Sequence, residues 1–78
     1  MKELVVIENG IGYALTPGVV IIDLDEDPVR AFVLKGEGFS RECPTITELE
    51  KALEALRGVA PLVLEVHKES GSVETYSL

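Results

Sequence analysis

Val19-Val20-Ile21-Ile22-Asp23-Leu24-Asp25-Glu26-Asp27-Pro28 is an apolar run that ends in four acidic residues out of five. If it is the first strand and nucleophile turn of a doubly wound α/β domain, the chain is an enzyme. If it is one strand of a sheet followed by a solvated turn, the chain is a small α+β domain that needs no chemistry at this point. The second reading follows from the residue types. Asp favours turns by hydrogen-bonding its own backbone, Pro by fixing φ, and clustered like charges stay out of a core.

The strand with Asp23-Leu24-Asp25 behind it resembles the first motif of the haloacid dehalogenase superfamily. That resemblance implies a nucleophilic Asp23 and a general acid/base at Asp25. In that family a small hydroxyl residue stands two positions beyond the second Asp, where this chain has Asp27. The family also needs later Lys and Asp motifs on a doubly wound domain, and the pattern here offers a single helix. Asp23, Asp25 and Asp27 also occupy the first, third and fifth positions of an EF-hand-like loop. Its sixth position, a Gly in that motif, is Pro28, and its twelfth, a bidentate Glu, is Leu34. The three carboxylates are left as candidate ligands for a weakly held divalent cation, because hard cations take carboxylate oxygens.

Working outward, the 78 residues make room for one domain, spanning residues 1–78. A domain of that size hides only about 60% of its unfolded surface, so association adds stability that the chain alone lacks. Fourteen acidic against seven basic residues give a formal net charge of −7. Such a surface repels phosphate backbones and argues against direct nucleic-acid binding. The single cysteine, Cys43, excludes an internal disulfide and multi-cysteine zinc sites and places the chain in the cytoplasm. No run has the length of a membrane span, and the acid-flanked N-terminus lacks the features of a secretory signal. The absence of Gln and the single Asn are the usage of a heat-adapted source.

The spacing predicts strands over residues 4–8 and 11–16, joined by Asn9-Gly10, whose tolerance of positive φ suits a type I′ hairpin. Pro17-Gly18 then reads as the centre of a type II turn leading to a strand over residues 19–25. Residues 29–35 alternate as a fourth strand, with Phe32 and Leu34 on one face and Val29, Ala31 and Val33 on the other. Residues 36–44 have no period and read as a loop. A 13-residue helix follows. Thr45 or Thr47 caps it, with Glu48 or Glu50 completing a capping box, Ile46, Leu49, Leu53 and Leu56 form its apolar stripe, and Gly58 and Pro61 stop it. Residues 62–67 and 73–77 complete a β-β-β-β-α-β-β order. The expected fold is α+β: one mainly antiparallel sheet of five to six strands with one amphipathic helix on one face.

One helix covers one face of a sheet, yet several strands are apolar on both, with Leu4 and Val6 opposed to Val5 and Ile7, and Val20 and Ile22 opposed to Val19 and Ile21. At about 25 cal/mol per Å², leaving these side chains wet forgoes several kcal/mol, comparable with the stability of a small domain. Either the sheet closes on itself as a barrel or a second chain packs on it. The expected interface is Val5, Ile7, Val19, Ile21, Val29 and Val33, and the expected partner is a second copy or another protein.

Other chemistry is sparse. Cys43 and His67 are the only thiol and imidazole, a nucleophilic pair without a local signature. Lys35-Gly36-Glu37-Gly38, with Arg41 and the helix start behind it, is a possible small-anion loop that matches no phosphate-binding fingerprint. No catalytic residue and no cofactor is assigned. The expectation is a small acidic protein that acts by protein–protein interaction, as a homodimer or as a subunit or regulator of a larger complex. The alternatives are an acidic inhibitor that imitates nucleic acid, or a metal- or anion-binding enzyme using the turn from Asp23 to Asp27.

Overall fold

The computed structural model describes residues 3–17, 20–59 and 61–78. Among them, seven strands and one helix run in the order β1 (Glu3–Glu8), β2 (Ile11–Pro17), β3 (Val20–Asp23), β4 (Val29–Gly36), β5 (Phe39–Cys43), α1 (Ile46–Ala55), β6 (Val63–Lys68) and β7 (Val73–Ser77). The class is α+β with mostly antiparallel pairing. The strands form two sheets, of order β2-β1-β3 and β5-β4-β6-β7, where a single sheet of five to six strands was expected.

Two local features account for that difference. First, β3 does not pair with β2. It crosses to the far side of β1 and runs parallel to it, from Leu4↔Val20 to Ile7↔Asp23. The central place suits β1, whose Leu4-Val5-Val6-Ile7 run is the uninterrupted apolar pattern of a parallel-paired strand, whereas Gly12 and Pro17 suit β2 to an edge. The expected Pro17-Gly18 turn includes Gly18, which lies outside the described residues. Second, the stretch expected as a loop holds a tight turn and β5. Gly36 pairs with Phe39 across Glu37-Gly38, and Gly38 takes the positive φ of 79° that the turn requires. The Phe39 ring covers Gly36 so closely that a Cβ there would come within 2.2 Å of it.

The β1–β2 hairpin forms as the sequence predicts, with Asn9 and Gly10 at φ of 54° and 75°. In the helix, Thr45 is the N-cap and its Oγ1 accepts the Glu48 amide at 3.2 Å. The helix is ten residues long rather than 13. Its last turn tightens, with the Arg57 amide reaching Glu54 rather than a residue four back, and Gly58 at φ 85° ends it.

The core is one cluster. Leu4, Val6 and Ile22 come from the three-stranded sheet, Phe32, Leu34, Cys43, Leu64 and Val66 from the four-stranded sheet, and Leu49, Ala52 and Leu53 from α1. The three-stranded sheet and α1 therefore share one face of the four-stranded sheet. Each sheet covers the inner face of the other, and the outer faces of both are without cover among the described residues.

Candidate functional site

The acidic turn does not gather its carboxylates. Asp23 Oδ1 accepts the amides of Asp25 and Glu26 at 2.9 and 3.2 Å, a local Asx turn. The Asp25 carboxylate spans the hairpin tip, taking the Asn9 amide on Oδ1 at 2.8 Å and the Gly10 amide on Oδ2 at 2.9 Å. Asp27 pairs with Lys68. The three carboxylates expected to share a cation are engaged by three separate parts of the chain. Among the described residues no group of three or more His, Cys, Asp or Glu side chains is arranged to hold a metal ion. The apolar-run-plus-acids pattern of the sequence is a turn that ties β3 to the β1–β2 hairpin and to β6.

Lys68 is the one buried charged residue among those described, 9% exposed, and it lies between Asp27 and Glu74, 2.6 Å from Glu74 Oε1. The Tyr76 hydroxyl donates to the other oxygen of Glu74. The hydrogen bonds from Lys68 and Tyr76 hold the Glu74 carboxyl below the usual carboxylate range, and those to Asp27 and Glu74 push the Lys68 ammonium above its ordinary value. These groups line a cleft of about 230 Å³ between the sheets and satisfy one another, and among the described residues no buried side-chain polar atom is without a partner.

Cys43 and His67 do not meet. Cys43 is in the core, where burial pushes its thiol pKa up. His67 stands on the opposite, outer face of the four-stranded sheet, 3.0 Å from Glu65 Oε1. Lys35, on that same face, reaches the second Glu65 oxygen at 2.9 Å, and the bonds from Lys35 and His67 lower the Glu65 pKa. The Lys35-Gly36-Glu37-Gly38 segment is no anion loop. It lies at one end of β5 and the helix start at the other; one cleft beside the first helical turn has Glu8 in its wall and no cationic side chain, and another sets Glu42 and Glu48 beside Arg41 and Lys51.

The two outer sheet faces differ in kind. That of the four-stranded sheet carries Lys35, Glu42, Glu65, His67 and Thr75 among Val33, Val63 and Val73, the solvated face ordinary for an antiparallel sheet. That of the three-stranded sheet has two rows, Ala14–Val5–Ile21 and Gly12–Ile7–Asp23, with Asp23 at its margin engaged in its own turn. Ile21 is 66% exposed. β2 overhangs the core so far that Ile11, 57% exposed, and Tyr13, 43% exposed, stay open even on the inner side. Of the six residues expected at an interface, the structure brings Val5, Ile7 and Ile21 together on this face. Val33 is on the outer face of the other sheet. Val29 packs on the core, because a register shift between Val29 and Ala31 reverses which way it points. Val19 lies outside the described residues.

Ile11 and Tyr13 on the inner side of β2 and Ala14 on its outer side are also exposed, and they were not singled out by the apolar pattern. A different signal marks them: no charged residue falls between Glu8 and Asp23, in a chain with 21 of them. Comparison with family models, with curated proteins and with solved structures finds no match to this chain. Among the described residues no helix is long and apolar enough to cross a membrane.

Proposed function

We propose that this protein acts by binding protein, and that the three-stranded sheet is its contact surface. The observation that carries this reading is the open side of that sheet: its outer face exposes Ile21, and β2, which has no charged side chain, stands open at Ile11 and Tyr13 beyond the reach of the core. The inner face is covered by the four-stranded sheet, and the outer face has no cover among the described residues. A contiguous apolar face on a small domain marks a place where another molecule sits, and its burial stabilises at about 25 cal/mol per Å².

The acidic turn favours this reading over a metal centre, since Asp23, Asp25 and Asp27 are each engaged by a separate structural partner. The test compares wild type with a Tyr13→Lys/Ile21→Lys double variant, each immobilised and offered both free wild-type protein and extract of the source cells. Wild type retains its own chain or another protein, and the double variant, folded by circular dichroism, releases it. Equal behaviour of the two would remove the reading.

A further inference from the structure

We infer that the partner is a second copy of this chain, added antiparallel along the free edge of β2, so that two three-stranded sheets continue as one sheet of six strands. The inference rests on the reading that this sheet is the contact surface; it names the partner and places the seam at the β2 edge, with Ile21 on β3 outside it.

The two sheets have four edges, β2, β3, β5 and β7, and three of them carry the features that keep sheet edges apart. β5 carries Arg41 and Glu42, β7 carries Glu74, and β3 is only four residues long and ends on Asp23. Charges and short strands of this kind block edge-to-edge addition, because an unpaired row of N–H and C=O groups is otherwise a template for another strand. β2 has neither. It is seven residues long with no charged side chain, and its only edge-blunting residue, Pro17, is at its last position. Ile11, Gly12, Tyr13 and Ala14 are all exposed, so the strand is open on both faces as well as along its edge.

Charge selects the occupant. A second copy carries the same net charge of −7, so two copies meet without like-charge repulsion only where the surface is neutral. The segment between Glu8 and Asp23 supplies such a surface and centres it on β2. A basic partner would instead be met by carboxylates, and none lies on this strand. A strand paired antiparallel with its own copy generates a two-fold axis, the commonest symmetry of soluble oligomers, and closes after two subunits.

The experiment is sedimentation equilibrium at micromolar concentration on wild type, Tyr13→Lys, Ile11→Lys and Ile21→Lys, each checked for fold by circular dichroism. Wild type is a dimer. Lysine at position 13, placed against its own copy across the seam, or at position 11 on the same side of the strand, raises the dissociation constant at least ~30-fold, the scale of an interface hot spot. Ile21→Lys, on β3, leaves the dimer intact. Nitroxides attached to Tyr13→Cys sit about one strand spacing apart, ~5 Å of backbone, and broaden each other's spectra. Those on Ile21→Cys are separated by about five spacings, ~24 Å, and do not. Sheets stacked face to face would reverse the pattern, because their layers lie ~10 Å apart. A dimer dissolved by Ile21→Lys but kept by Tyr13→Lys, or broadening at position 21 alone, overturns the edge seam while leaving the sheet as the contact. A wild type that is monomeric at every concentration overturns the second copy as partner, and the capture comparison above then decides whether the sheet binds a different protein.

Discussion

Asp25 shows how one carboxylate does the work of a longer loop. Both its oxygens accept backbone amides at the tip of the β1–β2 hairpin, sixteen and fifteen residues away in sequence. Those amides belong to Asn9 and Gly10, both at positive φ and both pointing away from the strand pairing. The carboxylate thus fixes the turn and anchors the chain leaving β3 beside it. Asp25→Ala is expected to lower stability by ~1–3 kcal/mol, the range for hydrogen bonds to a charged group, read as a fall in the urea midpoint at unchanged slope. The same engagement explains why an Asp-rich motif carries no catalytic geometry here. Asp23, Asp25 and Asp27 are each oriented by a structural hydrogen bond before any substrate or ion arrives.

At the scale of elements, the helix and β5 make opposite cases. α1 has a capping threonine, an acidic first turn and an apolar stripe, and all three point to one placement. Leu49, Ala52 and Leu53 are buried, and Ile46 and Leu56 pack at the edge of the core. Thr45→Ala removes the Oγ1 acceptor and is expected to cost ~1 kcal/mol in chemical denaturation, while Thr45→Ser retains most of it. β5 exposes Phe39, Ser40, Arg41 and Glu42 and buries only Cys43, so its sequence has no alternation to read. It is a strand because β4 offers it an edge and Gly38 allows a tight return. Backbone pairing, not side-chain pattern, makes the element.

At the scale of the molecule, Lys68 clasps the layers. It stands on β6 and draws in Asp27 from the turn after β3 and Glu74 from β7, so the three-stranded sheet is held to the four-stranded one by charge as well as by its apolar core. The Glu74 carboxyl is held below its ordinary value of 4.5 in the fold, so its contribution to stability is present above that value and is lost as pH falls through the lower, folded one. Glu65, lowered by Lys35 and His67, acts in the same direction. Acid unfolding followed by circular dichroism is expected to show stability falling below about pH 4.5, with a shallower fall in Lys68→Met, where Glu74 has lost its ammonium partner. Lys68 itself, raised by Asp27 and Glu74, contributes fully below 10.5 and loses that contribution only as pH rises through its higher folded value.

What the sequence determined by itself is local: the Asn9-Gly10 hairpin, the capped helix, the turn character of residues 23–28, and the presence of more apolar strand than one helix shields. These are legible because φ preference, capping and amphipathic period act over a few residues. The partition into two sheets, the crossing of β3 to the far side of β1, the strand identity of residues 39–43 and the inward turn of Val29 were decided only by tertiary structure. Each depends on which backbone edge is available and on a single-residue register shift, neither of which a side-chain period records. For the contact surface, the sequence had already marked Val5, Ile7 and Ile21 as apolar. Val5 and Ile7 stay half-buried and Ile21 exposed because all three face away from the four-stranded sheet, and β2 is open because that sheet stops short of it.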